Sequence, residues 1–245
     1  MAKEVTMGRG SATTLKGVAY TLSIFVEQGE ASWTKDDKLA QMEEGRVAER
    51  WLVEEAKRHG VALSFHEGSC FGLDASLRVT EVPVDEEGRV EVFDVLRQTL
   101  RSVGREGPAE LSRSIVRKAG VNTLHVVTYL NTDGVSCAAP FRDGNAEERL
   151  LEGCVVHRAD SRRGADAGPR TIAHEILHLY GAWDFYERPG YKPEQVVLAT
   201  REFPRDVMLC ASPNLEESEV GPVTAWRIGW RPKEAWFEEL RPEGH

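Results

Sequence analysis

The order of apolar and polar positions divides the chain into short strands and amphipathic helices. Residues 18–26, Val-Ala-Tyr-Thr-Leu-Ser-Ile-Phe-Val, are a nearly unbroken apolar run and predict a buried first strand. The segment 27–41 is polar and carries Trp33. From Met42 to His59 the period changes. Val47, Ala48, Trp51, Leu52 and Ala56 form one apolar stripe among Glu and Arg, the pattern of a surface helix. Gly60 ends it, and Val61–His66 alternates as a second strand. Strand, helix and strand in that order predict a parallel crossover unit.

The same reading continues along the chain. Leu77–Val84 contains a further short strand. Val90–Val103 is an amphipathic helix with Val92, Leu96, Thr99, Leu100 and Val103 on one side. Leu111–Ala119 is a short basic helix whose Arg113, Arg117 and Lys118 form a solvated face. Asn122–Leu130 is a β-rich run suited to the centre of a sheet. Gly134–Gly144 reads as a loop, Cys154–Ala159 as a strand and 160–168 as a loop. Pro169 then suits the first turn of another helix, with Gly168 before it. Beyond it Pro189, Gly190, Pro193 and Pro204 exclude long helices, and Asn214–Val220 is an acidic loop. Pro222–Trp230 is helical, with Gly229 near its end, and Lys233–Leu240 adds a turn or two. The class is α/β (α+β). A flexible arm over 1–17 precedes an α/β subdomain over 18–181, and 182–245 form a small irregular C-terminal subdomain, with a cleft between the two.

The helix after Pro169 carries the candidate chemistry: Arg-Thr-Ile-Ala-His-Glu-Ile-Leu-His-Leu-Tyr-Gly-Ala-Trp-Asp over 170–184. His174 and His178 at i, i+4 share one helix face, where two imidazoles grip one ion. Glu175 projects beside that face, placed to take a proton from a metal-bound water. Gly181 stands where the helix should stop, in the left-handed conformation that turns a chain back. Asp184 then offers a third ligand, leaving one position of a zinc site open.

The extended string H-E-x-x-H-x-x-G-x-x-D resembles the metzincin zinc peptidases, in the variant with Asp as last ligand found in snapalysin-like members. The resemblance implies a metzincin-like fold with a mixed twisted sheet, and zinc held by His174, His178 and Asp184. It also implies Glu175 as general base and a Met-turn beneath the metal. Asp-Val-Met-Leu-Cys over 206–210 supplies Met208 for that turn. Some metzincins place a Tyr two residues after this Met; here Cys210 stands there, so Tyr186 and Tyr191 are the candidate replacements. The family's edge strand lining the cleft falls on Cys154–Ala159, which makes His157 a candidate substrate contact. An extended peptide would add to that edge through main-chain hydrogen bonds.

Composition narrows the class. The chain has 245 residues, 41% of them hydrophobic, enough for one large domain or two small ones. A net charge of −9 argues against nucleic acid or anionic membrane as partner. The expected partner is a peptide or protein substrate. No apolar run approaches the length of a membrane span. The N-terminus lacks a secretory apolar core, so the sequence as read predicts a cytoplasmic protein. Cys70, Cys137, Cys154 and Cys210 have no C-x-x-C spacing and read as buried free thiols.

Simpler readings compete at each position. His174, Glu175 and His178 would also suit an ordinary amphipathic helix. Asp184 would suit a helix end, with Glu187 or the more remote Glu194 as third ligand instead. Met208 would suit plain core, as do Trp226 and Trp230. Three functions other than an endopeptidase also fit: a zinc hydrolase of a non-peptide amide, a narrow regulatory protease, and a partner-binding protein with structural zinc.

Overall fold

The computed structural model describes residues 14–30, 32–74, 77–79, 85, 89–102, 121, 123–139, 152–160, 165–187 and 190–243. Its architecture is mixed α/β. Strand β1 (Gly17–Glu27) lies between β2 (Leu63–Phe71) and β4 (Thr123–Gly134), parallel to both. β6 (Glu152–Asp160) continues the parallel set beyond β4, and β5 (Cys137–Ala139) closes it antiparallel, giving the order β2-β1-β4-β6-β5. Two-residue strands β3 (Leu77–Arg78) and β7 (Ala165–Asp166) pair with β1 and β6.

The apolar runs of β1 and β4 are continuous because both faces of this sheet are covered. Alternate residues serve two cores. Phe25, Val127, Tyr129, Cys154 and Val156 face α1 (Lys35–Arg58) and α3 (Pro169–Leu179), with α2 (Val92–Ser102) covering the other side over Leu22, Ile24, Val126 and Val155. The first core continues into the C-terminal part through Phe185, Phe203, Met208, Ile228 and Phe237. That part holds α4 (Pro193–Glu202), α5 (Pro222–Arg227) and three short 3-10 turns. Among the described residues, no helix is long and apolar enough to cross a membrane.

Several expectations change. Helix α1 begins at Lys35, well before Met42. Thr34 caps it, its side chain accepting from the Asp37 backbone while Asp37 bonds back to Thr34. The apolar stripe misses this first part because its inward residues, Lys38 and Gln41, are polar. Lys38 is buried by donating to the Gly72 carbonyl at 2.5 Å. The loop expected at Gly134–Gly144 contains β5, whose three small residues carry no periodic signal. As a result Cys154–Ala159 is not the sheet edge. β5 covers Gly153–Val155, β7 covers Ala159 and Asp160, and the Ser136 hydroxyl accepts from the His157 amide between them. The edge role on this side belongs to β5. Pro193 begins the ten-residue α4, in a stretch expected only to lack long helices. The arm expected over 1–17 is described only from Thr14. There Leu15 is fully buried, its amide donating to the Ile228 carbonyl and its own carbonyl accepting from Trp230. The helix expected at Leu111–Ala119 and most of Leu77–Val84 lie outside the described residues.

Candidate metal centre

Helix α3 starts with Pro169 at its first turn and runs as a buried element. Ile172, Ala173, Ile176 and Leu177 fill the core, while Arg170, His174 and His178 line a second face at i, i+4, i+8. The helix ends at Tyr180. Gly181 follows at φ 96°, and the Ala182 amide returns to the Leu177 carbonyl. A Cβ at Gly181 would sit 3.3 Å from the Arg227 guanidinium, whose Nε donates to the Gly181 carbonyl. This turn delivers Asp184 back to the helix face, and the Phe185 amide bonds to the Met208 carbonyl at 3.1 Å.

His174 Nε2, His178 Nε2 and Asp184 Oδ1 form a near-equilateral triangle with sides of 3.1, 3.2 and 3.1 Å. A tetrahedral zinc with bonds of about 2.0 Å sets its ligands ~3.3 Å apart, so these three groups fit one ion. The far nitrogens fit as well. His178 Nδ1 lies 3.0 Å from the Ala182 carbonyl and His174 Nδ1 3.4 Å from the Val207 carbonyl. Each carbonyl holds the ring proton on Nδ1 and turns the Nε2 lone pair inward, as a ligating imidazole requires. Glu187 and Glu194 are exposed and take no part in the group.

Glu175 is 5% exposed, and its Oε2 has no hydrogen-bond partner among the described residues. Its charge reaches the thiols of Cys137 and Cys154, which burial raises first and foremost, Cys137 to about 12. Cys137, Cys154 and Cys210 are all free thiols; Cys154 is buried and the other two partly so.

The segment expected as a Met-turn is a 3-10 turn over Val207–Leu209, with Met208 fully buried. Asp206 anchors it, accepting from the Met208 amide at 2.8 Å, the Gly221 amide at 3.0 Å and the Thr224 hydroxyl at 2.8 Å. Burial pushes this carboxyl up to about 7 against those three donors. Cys210 closes the turn at φ 56°, the only non-glycine residue with positive φ among those described. Its Sγ lies 3.9 Å from His174 Nδ1. Burial raises this thiol, but the His174 and Arg170 charges outweigh it and bring it down to about 6; His174 is raised in turn against its own burial.

Of the other candidates, Tyr186 is brought to the site, its ring stacked on His174 at 6.4 Å. Tyr191 packs against the main core. His157 is not brought there. It alternates with Val156 and shares the strand face of Val155, towards α2, and its ring sits where a Cβ on Gly134 would meet it at 2.3 Å. Sequence reading missed Arg170 and Asp206. Arg170 had a visible signal, since a basic residue four before His174 must share its buried face. Asp206 had only its place beside the Met. No protein-family model matches the chain, and no curated protein matches it.

Proposed function

We propose that the chain is a zinc-dependent hydrolase of metzincin-like fold that cleaves peptide bonds as an endopeptidase. The observation that carries the reading is the triangle of His174, His178 and Asp184 with the unpartnered Glu175 carboxylate on the same helix. His174, His178 and Asp184 would hold the ion. When bound, zinc would acidify a coordinated water and polarise the scissile carbonyl. Glu175 takes the water's proton and delivers it to the leaving nitrogen. A site with purely structural zinc has no use for a buried carboxylate left without a partner beside the ligands. The C-terminal location of Met208 and the antiparallel edge strand β5 beside α3 support the metzincin comparison. An extended substrate would run along β5 rather than β6.

The test pairs metal content with cleavage of an unfolded protein. Glu175→Ala should keep its zinc and lose about 10²–10⁴-fold in turnover. Full turnover by that variant removes Glu175 as the base.

A further inference from the structure

We propose that Arg170 is a positioning residue for the metal centre: it fixes the Val207 carbonyl that holds His174 Nδ1, and so aims one metal-binding nitrogen from the Met-turn. This rests on the metal reading above.

The two ligating rings are oriented differently. His178 leans on the Ala182 carbonyl, inside the turn that ends its own helix. His174 leans on a carbonyl 33 residues away, in a separate segment that has to be tied to α3. Arg170 is that tie. One helical turn before His174 on the same face, it donates from Nη2 to the Val207 carbonyl at 2.6 Å. The same oxygen meets His174 Nδ1 at 3.4 Å and the Cys210 amide at 3.4 Å. A carbonyl offers two lone pairs, so the short, charge-assisted bond decides where the oxygen sits. The longer two follow it.

Arg170 is an expensive way to hold one carbonyl, its other partner being the Cys210 thiol. It is 5% exposed, no carboxylate lies in ion-pair range among the described residues, and its Nε has no acceptor. A guanidinium buried with only a carbonyl and a thiol for partners costs the fold stability, which points to its position as what is retained. From the far side Asp206 holds the same turn, gripping the Met208 amide and the start of α5. A Cβ at Gly221 would come within 2.3 Å of its carboxylate, so that grip requires glycine. Val207 is thus fixed from both sides, and its carbonyl faces His174.

The test uses Arg170→Met, Arg170→Lys and Ile24→Val, the last a small truncation in the core on the opposite face of the sheet. Zinc affinity is read by chelator competition, and the His174 tautomer by nitrogen-15 NMR of the zinc-stripped protein. Arg170→Met should weaken zinc by about 10- to 100-fold, the usual effect of losing an outer partner of a ligand. It should also turn the His174 signal from an Nδ1-protonated ring to a mixture of tautomers. Arg170→Lys should recover part of both. Ile24→Val should lower the melting temperature and leave both unchanged. Zinc affinity within twofold of wild type and an unchanged tautomer in Arg170→Met would overturn the proposal. If that variant does not fold, Arg170→Gln is read by the same measurements with the same criterion. A wild-type protein that leaves zinc in solution defeats the metal reading alone, because the nitrogen spectrum still decides the role of Arg170.

Discussion

His125 gives a pH dependence whose sign and size follow from its surroundings. The ring is fully buried on β4. Thr21 donates its hydroxyl proton to Glu49 at 2.6 Å, so it accepts from His125 Nε2 at 3.0 Å. That leaves Nδ1 as acceptor for the Tyr180 hydroxyl at 3.1 Å, in preference to that hydroxyl's longer contact with Thr123 Oγ1 at 3.4 Å. Each bond suits the neutral ring, and burial lowers its pKa to about 4. In an unfolded chain the same group titrates near 6.5. The unfolded state therefore binds the extra proton between those values. Stability is full above the unfolded pKa and falls with pH until the folded pKa is reached. Worked through, the loss is about 2 kcal/mol from pH 7 to 5 and about 3 kcal/mol by pH 4.

The assay is urea unfolding of wild type and His125→Gln from pH 7 to pH 4, with chelator present so that metal ligands titrate alike in both. The variant should be the less stable protein at pH 7, because glutamine fills the space and bonds poorly. Its deficit should shrink by about 2–3 kcal/mol as the pH falls, since only wild type carries the titrating ring. A deficit constant across the range would refute the reasoning, showing that His125 titrates alike folded and unfolded.

Three further outcomes follow from the site. Asp184→Ala removes one corner of the ligand triangle and should weaken zinc by more than the ~100-fold seen for outer partners, read by chelator competition; unchanged metal content would assign the third ligand elsewhere. Gly221→Ala sets a Cβ against the Asp206 carboxylate and should cost about 1–3 kcal/mol in urea unfolding, whereas wild-type stability would show that the turn gives way freely. Saturating zinc at about 1,000 times its dissociation constant should add ~4 kcal/mol of stability, seen as a raised melting temperature; no shift would mean that the folded protein does not hold the ion.

The parts of the fold legible in sequence were those whose burial is apolar and periodic. β1, β4 and α2 fall where the hydrophobic pattern places them, within a residue or two at most ends. The start of α1 was hidden because Lys38 and Gln41 are buried through hydrogen bonds and packing that a hydropathy pattern does not register, although Thr34 and Asp37 carried a readable cap. β5 was hidden for the opposite reason: three small residues take their strand conformation from pairing with β6. With β5 unread, the edge strand implied by the resemblance fell on Cys154–Ala159, and His157 with it. Within the site, spacing along one helix and one glycine sufficed to bring His174, His178 and Asp184 together. The contribution of Arg170 was a matter of distance in the chain, since its partner carbonyl belongs to a segment the sequence gives no reason to pair with it.

The centre carries a set of choices that make little sense as packing. Arg170, His174, Glu175, Asp184 and Asp206 are all buried in a region where the surrounding side chains are apolar. Each ionisable group taken from water weakens the fold unless its bonds are complete, and here they are incomplete at Arg170 Nε and Glu175 Oε2. Cys210 adds a left-handed backbone that costs of order 1 kcal/mol in a residue with a side chain. A fold selected for stability alone would replace these with aliphatic residues. Their concentration around one triangle of ligand atoms, with apolar packing beyond it, is the pattern expected where local rules are broken for function. The two imperfect groups also stand in different relations to the triangle. Arg170 acts on it through a carbonyl, and Glu175 follows a ligand on the same helix, so loss of the first should disturb metal binding and loss of the second should disturb only what happens to the bound water.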